Sequence, residues 1–260
     1  MKVQQLVEAA ERLAPARDAE GWDNVGLLVG DPEQEIHRAL LCIDHTPAVG
    51  AEAVAAGCDV IVAYHPPLFV AVKRVTAPAV WFHAARQGIA VYSFHTALDV
   101  AEGGTNDVLA DLLGLRNRAP LRRLKDAVRP DDPRGMGRVG SVDEVDARAF
   151  AAVVKQRLGL TRLLVTGPLD RTVRRVAVCA GSCGEFLTDV LHSGVDLMVT
   201  GELHHHDALR ASVAGLTVLC TLHSHSERPS LAPLARRLAA EVPGVEFRLS
   251  TADREPFDFL

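Results

Sequence analysis

The chain has 260 residues, 48% hydrophobic and 23% charged, with a mean hydropathy of +0.11; this excludes disordered and fibrous classes and leaves enough chain for a core of ordinary quality. Lysine and arginine number 28 against 33 acidic residues, a formal charge of -5, so no global basic field exists to hold duplex nucleic acid. No apolar stretch approaches the roughly 20 residues of a membrane span, and the N-terminal residues lack a signal-peptide core, so a cytoplasmic protein without a membrane partner is expected.

Apolar spacing predicts a helix over 3–13, strands over 26–29 and 39–43, a helix over 47–56 and a strand over 60–63. A helix over 79–87, a strand over 89–93 and a helix over 106–113 follow. Residues 116–138 carry Pro120, Pro130, Pro133, Gly135 and Gly137 among many charges and read as a connection between lobes. Beyond it come a helix over 145–158, a strand over 176–180, a helix over 186–192 and a strand over 197–199. A helix over 206–213, a strand over 217–222 and a last amphipathic helix marked by Leu231, Leu234, Leu238 and Val242 complete the chain. This alternation predicts an α/β fold of two similar, intimately joined lobes with largely parallel sheets in a single domain over 1–260. The first lobe is read as 1–115, the connecting segment as 116–175 and the second lobe as 176–260.

The halves read alike. Gly57-Cys58-Asp59-Val60-Ile61-Val62 matches Gly194-Val195-Asp196-Leu197-Met198-Val199, each a turn feeding a buried strand. Gly88 leads through a strand to His95 as Gly215 leads to His223, and a carboxylate follows each histidine four residues later, Asp99 and Glu227. Matched chemistry at matched places points to pseudo-twofold architecture with one shared site.

Histidines cluster where predicted strands end, the ligand-binding edge of a parallel sheet. His65, His95, Asp99, His223 and Glu227 together form a mixed imidazole and carboxylate set, which suits zinc, iron, manganese or nickel in a catalytic centre. His45 and His204 are weaker candidates, and packing or solvation accounts for His37, His83 and His192. The run Ala180-Gly181-Ser182-Cys183-Gly184-Glu185 lacks the P-loop lysine and reads as a tight turn. Arg116, Arg118, Arg122, Arg123, Lys125, Arg129 and Arg134 read as a solvated charged run. The five cysteines form no CxxC and mostly sit in apolar runs, so buried thiols in a reducing compartment are expected.

Five ordered blocks carry a family resemblance along nearly the whole chain. They are Trp22-Asp23-Asn24-Val25-Gly26-Leu27-Leu28-Val29-Gly30; Tyr64-His65-Pro66-Pro67-Leu68-Phe69; and His95-Thr96-Ala97-Leu98-Asp99 with Gly103-Gly104-Thr105-Asn106-Asp107. The last two are Thr200-Gly201-Glu202-Leu203-His204-His205-His206 and His223-Ser224-His225-Ser226-Glu227-Arg228. The sequence resembles the NIF-three-like proteins, dinuclear-metal-centre hexameric proteins catalogued as GTP cyclohydrolase I type 2 homologues. The resemblance implies metal ligands at His65, Asp99, His223 and Glu227, with the glutamate bridging two ions, and site-lining or proton-carrying roles for His95 and His205, with His206 placed similarly. It also implies a toroidal homohexamer with metal sites facing its cavity. The segment between Leu115 and Val176 is too short for an inserted domain of typical size, as in the family's short form. Tyr64 stands where many bacterial members have a second histidine, a departure that resembles the eukaryotic branch. Tyrosine is a poor ligand at neutral pH, so one or two divalent ions per chain are expected.

Two functions follow from the resemblance. One is a metal-dependent hydrolase acting on GTP or another nucleotide or phosphoester. The alternative is a non-catalytic, metal-binding hexameric scaffold or regulatory protein. Asp44 and Thr105, in family-like segments, are read equally well as cavity-lining or as packing and capping residues.

Overall fold

A computed structural model describes residues 1–77, 79–125, 127, 129 and 131–258; Pro130 of the predicted connection lies outside them. Its contacts divide the chain into two units, Met1–Leu98 with Leu231–Leu260, and Asp99–Ser230.

In the first unit, α1 (Val3–Leu13), β1 (Gly26–Val29), β2 (Arg38–Cys42), α2 (Pro47–Ala55), β3 (Val60–Ala63), α3 (Val80–Arg86) and β4 (Ala90–Ser93) follow the predicted order. A short α4 (His95–Val100) ends it and runs two residues into the second. The second unit continues with α5 (Thr105–Leu112), β5 (Arg116–Arg123), β6 (Gly135–Asp146), α6 (Ala147–Leu158), β7 (Leu164–Thr166) and β8 (Thr172–Ser182). It closes with α7 (Leu187–His192), β9 (Leu197–Glu202), α8 (His205–Val213), β10 (Thr217–Cys220) and α9 (His223–Glu227). The chain then returns to the first unit as α10 (Leu231–Glu241) and β11 (Glu246–Leu249). Among the described residues no helix is long and apolar enough to cross a membrane.

The first sheet has the order β1-β4-β3-β2-β11. Its pairings are parallel except at β1, an antiparallel edge. The β-branched run Val60-Ile61-Val62 is buried throughout, as a central parallel strand with both faces covered requires. Thr46 caps α2 by accepting from Val49 N, and Pro47 occupies the first helical position, where its missing N–H costs nothing.

The second sheet has the order β5-β6-β8-β9-β10-β7. Only β8-β9 and β9-β10 are parallel, so this sheet is mixed rather than largely parallel. The difference originates in the segment expected to be a connection. Residues 116–175 supply β5, β6, α6 and β7, and the boundary of the unit falls at Asp99 rather than beyond residue 115. Gly135 and Gly137 sit inside β6 at positive φ, with partner-strand atoms where a Cβ would be. These glycines let the strands approach closely, so a turn-like composition lies within a ladder. Four of this segment's arginines are paired: Arg122 with Asp189, Arg118 with Asp111, Arg116 with Asp143 and Arg134 with Asp132.

The internal repeat is physical. In the first sheet Ala39 pairs Val60 and Val60 pairs Ala90; in the second Val176 pairs Leu197 and Leu197 pairs Thr217. Gly57 and Gly194 both take left-handed conformations before their strands. Asp59 Oδ2 then accepts from His37 N and Arg38 N at 2.6 and 2.9 Å, while Asp196 Oδ2 accepts from Arg174 N and Arg175 N at 2.8 and 2.9 Å. The register corrects one detail, because it makes His95 the counterpart of Leu222 in the repeat rather than of His223. These two residues share a positive φ, +36° and +71°. The helix that follows is offset by one residue between the repeats.

Removing either clasp leaves two backbone amides without their acceptor. Asp59→Ala and Asp196→Ala should each lower unfolding free energy by about 1–2 kcal/mol, measured by urea denaturation, with additive effects in the double variant. Glu52 ties residues 250–252 to α2 by accepting from Ser250 Oγ, Thr251 N, Thr251 Oγ1 and Ala252 N. Partial burial opposes its ionisation, but these hydrogen bonds prevail and bring its pKa down from 4.5 to about 2. A depressed carboxylate stabilises the fold above its unfolded pKa and loses that contribution as the pH falls. Thermal stability should therefore decline from pH 4.5 to 2, and Glu52→Gln should flatten this part of the curve.

Candidate metal centre

In the first unit, the end of β3 carries Tyr64 and His65, and His65 N donates to Ile43 O. Asp44 Oδ1 lies 2.9 Å from His65 Nδ1. With the carboxylate accepting, the proton sits on Nδ1, and Nε2 becomes the lone-pair nitrogen. His95 repeats the device: its Nδ1 is 2.7 Å from Asp23 Oδ1, while Asp23 Oδ2 accepts from Thr96 N and Thr96 Oγ1. Burial raises the Asp23 pKa, but hydrogen bonds from His95 and Thr96 outweigh this and hold it below the usual carboxylate range. Trp22, Tyr64, His65 and Phe69 surround the His95 ring, edge-to-face, with centroids 5.3–6.4 Å away. Asn24 Nδ2 donates to Leu68 O, which links the Trp22-to-Gly30 block to the Tyr-His-Pro-Pro block.

In the second unit, α9 begins after the left-handed Leu222. Glu202 Oε1 lies 3.0 Å from His223 Nδ1, and His223 Nε2 lies 3.1 Å from Glu227 Oε1, one helical turn on. Glu227 is buried. Beneath this pair the backbone comes close enough to require glycine. A Cβ on Gly181 would sit 2.7 Å from Glu227 Oε1, and one on Gly201 would sit 2.6 Å from Gly181 O and 2.9 Å from Ser226 Oγ. Gly181 N donates to Ser226 Oγ, which donates to His223 O. Buried Asp99 accepts at its backbone oxygen from Asn106 Nδ2, and Asn106 Oδ1 accepts from Ala180 N, beside Gly181.

An imidazole held at Nδ1 by one carboxylate and facing a buried second carboxylate with Nε2 is a donor set suited to a first-row divalent ion. Four of the predicted residues thus acquire definite settings: His65 and His95 each on a carboxylate, and His223 with Glu227. Asp99 is placed by its backbone. His205 opens α8, exposed, with its ring edge-to-face on His206, and among the described residues no hydrogen bond joins it to His223 or Glu227. His204 is the residue before α8 and makes no capping bond. Thr105 is buried at the start of α5, whereas Asp44 orients His65. His45 stands apart, buried beside a cavity of about 250 Å³ with His83 and Arg86, and burial followed by nearby His83 pushes its pKa down to about 4.

Sequence reasoning missed Asp23, Glu202 and Asn106 as working parts of the site, although all three lie in the quoted blocks. Each acts through a partner between 7 and 74 residues away, and no spacing rule reports such contacts. The cysteine expectation is also corrected: Cys179 and Cys183 form a disulfide, whereas Cys42, Cys58 and Cys220 are buried thiols outside it. The left-handed turn at Gly181 brings their Cα atoms to 6.1 Å, within bridging range.

Two α/β units carrying carboxylate-oriented histidines define an α/β protein with donors suited to a divalent ion. The chain belongs to the Duf34/NIF3 (NGG1p interacting factor 3) family, which matches residues 1–256. It is 31% identical over 266 residues to the GTP cyclohydrolase 1 type 2 homolog of Clostridium perfringens, with all of both chains covered. It is 32% identical to the NGG1-interacting factor 3 of Saccharomyces cerevisiae, over 98% of this chain and 96% of that protein. A Bacillus cereus protein related to NIF3 superposes with a TM-score of 0.93 at 22% identity, covering 100% of this chain and 99% of the other, and shares its fold.

Gly201→Ala forces a Cβ against Gly181 O, Ser226 Oγ and the His223 backbone. We expect a loss of about 1–3 kcal/mol of stability in chemical denaturation, the ordinary cost of overpacking. Crystallography should show displacement of α9.

Proposed function

We propose that the chain is a metal-dependent hydrolase in which His223 and Glu227 hold a divalent ion, with His65 and Asp99 as the further ligands that the family resemblance names. The observation that carries this reading is the His223 ring, fixed by Glu202 at Nδ1 and directed at Glu227 by Nε2. Metal-ligating histidines are characteristically held this way through their other nitrogen. When bound, such an ion acts as a Lewis acid and lowers the pKa of a coordinated water.

The chain's own residues then orient and protonate. His95 is the favoured proton carrier, because Asp23 fixes its tautomer and leaves Nε2 to take and return a proton. His205 is a second candidate for that role and has no such orienting carboxylate. Trp22 and Phe69 beside His95 provide aromatic surface on which a flat base can stack. This favours a nucleotide over a simple phosphoester, in keeping with the names of relatives called GTP cyclohydrolase 1 type 2 homologs. Tyr64 in place of a second histidine favours one tightly held ion over two. A homohexamer remains part of the proposal through the family resemblance alone.

Metal content per chain, measured by inductively coupled plasma mass spectrometry on protein purified without chelator or histidine tag, should reach at least one divalent ion. His223→Ala and Glu227→Ala should remove it, and Glu202→Gln should weaken binding about 10-fold or more. Metal-dependent turnover should appear in a screen of GTP, other nucleotides and phosphodiesters, and fall 100-fold or more in His95→Ala with metal retained. Bound metal without turnover of any substrate would favour the non-catalytic scaffold; no bound metal would overturn the reading.

A further inference from the structure

The Cys179–Cys183 disulfide closes a loop that forms part of the surface beneath His223 and Glu227. Cys179 and Ser182 both belong to β8 and pair with Thr200 and Glu202 of β9, with a register shift between them, so residues 180 and 181 form a bulge held by the sheet at both ends while Cys183 lies just beyond the strand. Both cysteines are buried, but Ser182 between them is exposed, which brings solvent to the outer side of the loop. Inside the loop, the Gly181 amide donates to Ser226 Oγ and its carbonyl accepts from Thr200 Oγ1. Ser226 in turn donates to His223 O, so the loop is tied to the helix that carries both donors. Clearance is minimal, since even a Cβ on Gly181 would reach 2.7 Å from Glu227 Oε1 and 3.4 Å from His223 Nε2.

We propose that Cys179 and Cys183 form a thiol–disulfide switch that sets the affinity of His223 and Glu227 for a divalent cation, an inference that rests on the metal reading above. Two unbonded sulfurs need a separation well beyond the roughly 2 Å of a disulfide bond. Both sulfurs are packed in the core, and Cys179 and Ser182 are both paired to β9, so the separation is taken up by Cys183 and by the bulge at Gly181 when the bond opens. A shift inward presses Gly181 on Glu227, and a shift outward withdraws its amide from Ser226. Either displacement spoils the alignment of His223 with Glu227, so the disulfide form is the tight-binding state.

The exchange partner is a low-molecular-weight disulfide such as oxidised glutathione. The Cys183 thiolate attacks it, releasing one small thiolate and leaving a mixed disulfide; the Cys179 thiolate then displaces the second. The protein gives up two electrons and two protons, and the small disulfide becomes two thiols. A dithiol reductant reverses the sequence.

The test uses the full chain, stripped with a chelator and then equilibrated with oxidised glutathione or with dithiothreitol. Thiols titrated in denaturant should number three per chain in the first state and five in the second. Mn²⁺, an ion that thiolates hold weakly, should bind at least 10-fold more tightly to the oxidised chain by titration calorimetry. Cys183→Ser should bind like the reduced protein in both buffers while keeping its thermal transition. Five thiols after oxidation, or three thiols with equal Mn²⁺ affinity in the two states, overturns the switch. Failure of both states to bind Mn²⁺ overturns it together with the metal reading, whereas the thiol count still reports whether the disulfide exists.

Discussion

A histidine ring has two nitrogens, and a site that needs a lone pair in one direction must commit the other nitrogen elsewhere. In this chain carboxylates make that commitment: Asp44 for His65, Asp23 for His95 and Glu202 for His223. Each holds Nδ1 at 2.7–3.0 Å, which determines the tautomer and the ring plane together. The surrounding structure follows from the need to hold these pairs. Asn24 anchors the loop after His65, Thr96 doubles the hold on Asp23, and the left-handed residues His95 and Leu222 turn the chain from strand into helix where the rings must be presented. Positive φ is costly for such side chains and persists only where neighbouring contacts enforce it.

The duplicated scaffold explains why similar devices recur. An aspartate after a left-handed glycine accepts two amides at the start of the neighbouring strand, once through Asp59 and once through Asp196. This fastens a three-strand parallel core in each unit. The units differ in what is added around that core. The first gains an antiparallel edge strand and the C-terminal β11, while the second gains β5, β6 and β7 and becomes a mixed sheet. Register also separates chemistry from ancestry, because His95 is the counterpart of Leu222 and not of His223.

Crowding around His223 and Glu227 makes the second unit's site sensitive to backbone position. Gly181 and Gly201 have no space for a methyl group, and Asn106 bridges Asp99 to the strand that leads into the same turn. A site built on close backbone approach gains rigidity without additional side chains, and it responds to whatever constrains the turn. The Cys179–Cys183 bond is such a constraint.

Much of the fold was legible in the sequence, since periodicity identifies α1, β1 and β3 with their observed limits and most other elements to within a few residues. The repeat, the strand-end position of the histidines and the ordered blocks likewise determine the family and the residue types available for a metal. What tertiary structure decided were the features whose cause lies across the chain. The five-residue α9 and the six-residue α4 display no hydrophobic period of their own, and they appear only when strand register and a left-handed residue set them up. The glycine-rich, charged segment after residue 115 became strands because its glycines admit a neighbouring backbone and its arginines find acidic partners. Which carboxylate holds which imidazole, and which two of five cysteines meet, depend on side chains brought together by folding, and spacing along the chain carries no record of that.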